Sequence, residues 1–159
     1  MGMIGIYVAI SEEEARQLAD GQLLPDDMEL YERDDQLDID KSWQAISFVL
    51  TGELAGGSPP LSYAVPTIGE LLLDYGDYGA FYLLPAQLAE AAQALSEISE
   101  EEFHNLYVQH SPIEHQIYPV TEGEDPKELL DYLEHHFTAL VAYYRRAAER
   151  GQGMLFYIA

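Results

Sequence analysis

The sequence predicts an α+β fold, with a small and mostly antiparallel sheet that includes both terminal strands and lies under several helices. Three observations predict it. The runs Met3 to Ile10 (MIGIYVAI) and Met154 to Ile158 (MLFYI) are β-branched and aromatic and stand at opposite ends of the chain. Leu129, Leu130, Leu133, Phe137, Leu140, Val141, Tyr144 and Ala148 recur at three- and four-residue steps, the apolar stripe of a long C-terminal helix. Between these ends, capping boxes and Pro/Gly punctuation mark off further short helices.

The elements follow in order. After the first strand, Ser11 can accept from the backbone N–H three residues on while Glu14 reaches back, so a helix starts here, runs to about Asp20 and stops at Gly21. Its three leading acids suit the positive end of the helix dipole. Residues 21–37 are polar, acidic and weakly periodic, and read as a loop. Asp38-Ile39-Asp40 then opens a helix whose buried face is Ile39, Trp43, Ile46 and Leu50, ended by Gly52. Ala55 to Pro60 is a loop by composition. Ile68 to Leu73 suits a short helix or a strand, Tyr75 to Gly79 a turn, and Ala80 to Leu84 a strand. Pro85 at a first helical position starts an Ala- and Leu-rich helix to about Ser96. Ser99 and Glu102 begin another, through about Gln109, and Ile117-Tyr118-Pro119 is extended or turn structure. Asp125 and Pro126 start the last helix. Arg145, Arg146 and Arg150 gather at its negative end and Gly151 closes it. With no internal repeat and no dividing linker, the expectation is one domain over residues 1–159.

Composition sharpens this. Of 159 residues 48% are apolar or aromatic, with twelve Tyr and five Phe, enough to fill a core. Without cysteine there is no disulfide, thiolate metal site or cysteine nucleophile. Seven basic residues against twenty-nine acidic ones leave a formal charge of −22. Such a surface repels nucleic-acid phosphates and anionic lipid and attracts basic partners or cations, so neither nucleic acid nor membrane is an expected partner. A solubility adaptation accounts for the same charge. The start of the sequence lacks a basic region and a signal-length apolar core, and no run approaches membrane-spanning length. A cytoplasmic location is therefore the expectation.

Several landmarks together resemble the YfbM-like family of small, uncharacterised bacterial proteins. They are Met1-Gly2-Met3-Ile4-Gly5, the segment Leu37-Asp38-Ile39-Asp40-Lys41-Ser42-Trp43, Leu50-Thr51-Gly52, Ile117-Tyr118-Pro119, and the C-terminal helix, glycine and strand. The similarity runs along essentially the whole chain, and the segment around Trp43 is its specific part. The resemblance implies an α+β fold and brings no established activity. It is compatible with an inhibitor or immunity-type role. Relatives often carry a histidine where this chain has Ser47, so a role for that imidazole would be absent or altered here.

The candidate binding residues are Asp38, Asp40, Lys41, Trp43, Tyr78, Tyr82 and Tyr118. Asp38, Asp40 and Lys41 present charge at a helix start beside an aromatic ring. The plainer account is that Asp40 caps the helix, Lys41 pairs with an acid and Trp43 fills the core. Tyr78, Tyr82 and Tyr118, among acids, suit a grip on a basic protein, because rings supply contact area and carboxylates supply steering. Packing at the core's edge explains them as well. No catalytic residue, cofactor or metal site is expected. The five histidines show no HExxH spacing, the acids around Asp34 to Asp40 lack the spacing of a calcium loop, and no phosphate loop or nucleophile elbow occurs. The leading functional expectation is a non-enzymatic acidic module that binds a basic partner protein. Its rival is a small-ligand binder or enzyme with a pocket near the Asp38–Trp43 helix start.

Overall fold

The computed structural model describes residues 2–159; Met1, the first residue of the opening motif, lies outside them. Strand β1 (Gly5–Ile10) leads into helix α1 (Glu12–Ala19) through the expected capping box. The Glu14 N–H donates to Ser11 Oγ (3.0 Å) and the Ser11 N–H donates to Glu14 Oε1 (3.1 Å). Then come β2 (Gln36–Asp38), α2 (Trp43–Thr51), β3 (Leu72–Leu73), β4 (Ala80–Leu83), α3 (Pro85–Ser96), α4 (Glu100–His110), α5 (Pro126–Glu149) and β5 (Gly153–Ile158).

The five strands form one sheet in the order β2-β1-β5-β4-β3, and every neighbouring pair is antiparallel. The two terminal strands lie side by side, in register from Gly5 opposite Ile158 to Ile10 opposite Gly153. Alternation along each strand gives the sheet two distinct faces. Tyr7, Phe81, Leu83, Met154 and Phe156 point to an inner face, under α2, α3 and α5, with α4 packed on α2 and α5. Val8, Ile10, Ala80, Leu155 and Tyr157 point to an outer face. There the cover is α1, through Ala15 and Leu18, together with Met28 and Leu30. Gly5 sits where a side chain cannot, since a Cβ there would come within 2.9 Å of Phe156 and 3.0 Å of Trp43. Gly52 ends α2 at φ +73°, the left-handed conformation of a helix stop.

Three expectations need correction. Residues 21–37 are more than a loop: 3-10 turns at Pro25–Asp27 and Leu30–Glu32 precede β2, and Met28 and Leu30 are buried. Their apolar residues follow neither a period of two nor one of 3.6, so burial here has no sequence signature. Asp40 does not cap α2. It sits at φ +53° in a 3-10 turn (Asp40–Ser42), and Ser42 stands at the helix's N-cap position. On α5, Leu130, Val141 and Ala148 are only half-buried, whereas Tyr143 and Ala147 are buried. The stripe rotates because α5 packs against α3 and α4 while also covering the sheet. Elsewhere the expected boundaries stand within a residue or two, and Ile68 to Leu73 holds both a 3-10 turn (Gly69–Leu71) and β3.

Candidate functional site

The Asp38–Trp43 segment joins the edge strand β2 to α2, and its side chains divide between two tasks. Trp43 is 8% exposed, so it offers no exposed aromatic platform. Its indole N–H donates to the Met3 carbonyl (2.8 Å), and its ring packs on Phe156 and Tyr118, with centroids 6.3 and 6.1 Å away. Tyr118 is bound into the same knot, its hydroxyl accepting from the Met3 N–H at 2.8 Å. These two residues hold the N-terminal strand against α2.

Asp38, Asp40 and Lys41 stay accessible. The Asp40 N–H donates to Asp38 Oδ1 (2.7 Å), a short loop that stabilises the left-handed residue. The Tyr132 hydroxyl on α5 donates to Asp40 Oδ2 (2.8 Å) and accepts from the Lys41 N–H (3.1 Å). Burial, and then this bond to Asp40, raises the Tyr132 pKa above the ordinary phenol value. Lys41 makes no ion pair among the described residues, against the expected pairing with an acid, and its stem lies against Gly2. A cavity of about 270 Å³ lies here, lined by Asp40, Lys41, Pro119, Glu124, Glu128, Leu129 and Tyr132. Of the sequence candidates near this helix start, Asp40 and Lys41 reach the cavity. Pro119 next to Tyr118 reaches the cavity, but Tyr132 is the tyrosine that grips Asp40, while Asp38, Trp43 and Tyr118 do not line it.

The tyrosines form a second region, on the outer side of the sheet. Tyr157 of β5 lies beneath the rings of Tyr31 and Tyr75, both in edge-on contact, at 5.8 and 5.4 Å between centroids. It is 1% exposed, and its hydroxyl has no hydrogen-bond partner among the described residues. Tyr31 is 70% exposed, and Tyr78, in the turn that begins at Tyr75, is 50% exposed. Tyr82 is half-buried on β4, opposite Leu155 of the outer face. Asp38 pairs with Ile6, and Ile6 with Tyr157, so one row across the sheet runs from an exposed carboxylate to the tyrosine cluster. Burial, then Tyr31 and Tyr157, then Asp26, raise the Tyr75 pKa. Sequence reasoning includes Tyr78 and Tyr82 but misses Tyr31 and Tyr157. Tyr31 belongs to a stretch without periodicity, and Tyr157 stands in an apolar strand, where a tyrosine is ordinary core filling.

One further cluster has no counterpart among the sequence candidates. Glu100 and His104, one turn apart on α4, meet Glu134 of α5, and their donor atoms lie within 4.8 Å of one another. His104 Nε2 contacts Glu134 Oε2 directly. The four-residue spacing is visible in the sequence, but nothing there shows which residue of α5 faces it. Ser47, where the family resemblance implied a histidine, is 4% exposed on α2. An imidazole there would sit in the packed interior. Among the described residues no helix is long and apolar enough to cross a membrane.

Comparison with known proteins identifies the family. The profile described as Domain of unknown function (DUF1877) matches residues 1–157, so the chain belongs to that family. It is similar to the crystal structure of YfbM from Escherichia coli, a protein of unknown function, at 27% identity and a TM-score of 0.72. The match covers 99% of this chain and 100% of that one. No curated protein shows a significant match.

Proposed function

We propose that this DUF1877 protein is a non-enzymatic, cytoplasmic protein-binding module that grips a basic partner, in the manner of an inhibitor or immunity protein, with the tyrosine-bearing outer side of its sheet. The observation that carries the reading is the Tyr31–Tyr75–Tyr157 cluster. It places one exposed ring and one half-buried ring over a thinly covered sheet, on a chain of net charge −22. A ring that serves only to cap a core would normally be covered. Tyr31 at 70% exposure is not, which leaves its area free for a partner. The acids near the cluster, Asp26 beside Tyr75 and Asp38 beside Tyr157 among them, supply long-range steering toward Lys- and Arg-rich surfaces. Nucleic acid and anionic membranes are repelled by the same field.

The test is capture from the source cell's lysate by the wild-type chain and by a Tyr31→Ser, Tyr78→Ser double variant, which preserves the charge. The expected result is one basic protein retained stoichiometrically by the wild type, released as salt rises, and bound at least about tenfold more weakly by the variant. Equal capture by both chains would reduce the interaction to ion exchange and sink the reading.

A second reading rests on the cavity beside Asp40, Lys41 and Tyr132. Three carboxylates (Asp40, Glu124 and Glu128) face it, so its matching ligand is a small cation such as an alkyl amine. At about 270 Å³ it falls just below the roughly 300–1,000 Å³ usual for ligand pockets. Its Tyr132–Asp40 bond is already satisfied internally, which is why the outer face is preferred. An amine that raises the Tm of the wild type but not of Asp40→Asn would reverse that preference.

A further inference from the structure

We propose that Glu100, His104 and Glu134 form a site for one divalent transition-metal ion of the zinc class, with an open coordination position facing the cleft between α4 and α5. The site is independent of the partner face and draws on different residues.

Geometry comes first. Residues four apart on a helix share a face, so Glu100 and His104 present a carboxylate and an imidazole in the same direction. Glu134 meets them from α5. The two helices are locked in register directly beneath, where Phe103 stacks on Phe137 with centroids 4.5 Å apart and planes 19° from parallel. Both rings are buried, and each lies within three residues of a proposed ligand on its own helix. The scaffold under the site is therefore rigid, as a metal site needs.

Distance comes second. Around a tetrahedral ion with bonds of about 2.0–2.1 Å, ligand atoms stand roughly 3.4 Å apart. The three donor atoms here lie within 4.8 Å of one another, so closure needs movements of roughly one to two ångström at most. Glu100, in the exposed first turn of α4, is free to make them. The contact already made between His104 and Glu134 is one that a bound ion would replace.

Donor chemistry comes third. An imidazole with two carboxylates suits zinc-class ions, whereas magnesium and calcium prefer all-oxygen shells. This separates the cluster from the chain's many purely acidic neighbours. Glu100 and Glu134 also line a cleft of about 260 Å³ with Phe103, Phe137, Thr138 and Arg145. That leaves room for water or a ligand atom in a fourth position.

The test is calorimetric titration of ZnCl2 into the full chain at about 0.5 M NaCl with excess MgCl2, conditions that suppress loose condensation on acidic surfaces. The expected result is one saturable site per chain. It should weaken about 100-fold or more in His104→Ala and in Glu134→Gln, because removing a ligand costs more than disturbing its second shell. His135→Ala, on the neighbouring exposed position, should bind as the wild type does. Cobalt(II) in place of zinc should give visible absorption bands that vanish in His104→Ala. Circular dichroism confirms that each variant is folded, and Glu100→Gln provides a third, surface-exposed substitution. No saturable site under these conditions, competition by magnesium at equal strength, or zinc binding unchanged in His104→Ala would each overturn the proposal.

Discussion

The inner face of the sheet lies under three helices backed by a fourth, whereas the outer face lies under one eight-residue helix and two 3-10 turns. The difference extends to the polar groups. On the inner side the two most deeply buried tyrosine hydroxyls are satisfied, although Ser62 Oγ beside them has no partner among the described residues: Tyr7 donates to the Ala64 carbonyl (2.5 Å), and Tyr144 donates to the carbonyls of Tyr63 (2.8 Å) and Ala64 (3.0 Å). Together they pin the 3-10 turn at Leu61–Ala64 onto the core. On the outer side the Tyr157 hydroxyl has no partner among the described residues, and two rings above it are open to solvent or half so. Side chains are committed to order on one side and leave aromatic area uncommitted on the other. A binding surface belongs on the second, because contacts already used for folding are closed to a partner.

The sharpest test of this contrast is truncation on each face. Leu133→Ala, at a fully buried position of α5, should cost about 3 kcal/mol of stability, from lost transfer energy and the cavity left behind. Tyr31→Ala should change stability by no more than about 0.5 kcal/mol while weakening partner capture. Urea denaturation of both variants measures the gap, and equal losses would erase the distinction between the faces.

Alkali should attack the inner face through its phenols. Burial, and then Tyr144 for Tyr7 and Tyr143 for Tyr144, holds both pKa values well above 10.0. For Tyr143 burial comes first and the nearby Asp35 adds to it, against the Ala9 N–H and two arginines, and the net is a shift up to about 12. A phenol raised on folding stays protonated in the native state while the unfolded chain ionises. Its contribution is intact below pH 10 and is lost as pH climbs toward 12 and beyond. Tyr143→Phe should flatten that decline by roughly 2 kcal/mol, seen in stability measured from pH 9 to 12. Tyr75 and Tyr157 are raised as well, so some alkaline loss belongs to the outer side.

Acid should act on the outer cover. Arg33 fastens the 3-10 segment to α1 through Glu14, with Nη2 to Oε2 at 2.6 Å. The hydrogen bond from Arg33, ahead of opposing burial and the Ser11 N–H, lowers the Glu14 pKa below 4.5. That stability is present above the unfolded value and is lost as pH falls through the folded one. With each side chain about a quarter exposed, Arg33→Met should cost only about 1 kcal/mol near neutrality, and less as pH falls through the lowered folded pKa of Glu14. Hydrogen exchange should locate the loss in residues 12–35; a loss spread evenly over both faces would contradict a separately fastened cover.

Two single-atom deletions narrow the contrast to one hydroxyl on each face. Tyr144→Phe should cost about 1–2 kcal/mol, because the Tyr63 carbonyl loses this buried donor while the Ala64 carbonyl keeps only Tyr7. Tyr157→Phe should be neutral or slightly stabilising, since it removes a buried group with no partner. Thermal unfolding resolves the two, and a large loss at Tyr157 would mean that its hydroxyl is paired after all.

The legible parts of the molecule are those with local causes. The Ser11–Glu14 box, Pro85, Asp125 and the Gly52 stop each act within about four residues, so each can be read without a partner. The burial of Ile39, Trp43, Ile46 and Leu50 follows from helical spacing alone. Asp40 shows where that reasoning stops. An Asp before an amphipathic helix is what a cap requires, yet Tyr132, ninety-two residues away, takes its carboxylate and a 3-10 turn replaces the cap. The burial of Met28 and Leu30, the pairing of β2, and the open placement of Tyr31 likewise depend on neighbours distant in the chain.

By itself the sequence determined the fold class, the place of both terminal strands in one sheet, the long C-terminal helix and the acidic field, because spacing, capping and composition are properties of the chain. Only the tertiary structure decided which face stays thinly covered, which tyrosine reaches Asp40, and that Glu134 meets Glu100 and His104. Each of these is set by how α5 lies against the sheet and α4, a long-range geometry that no local pattern encodes.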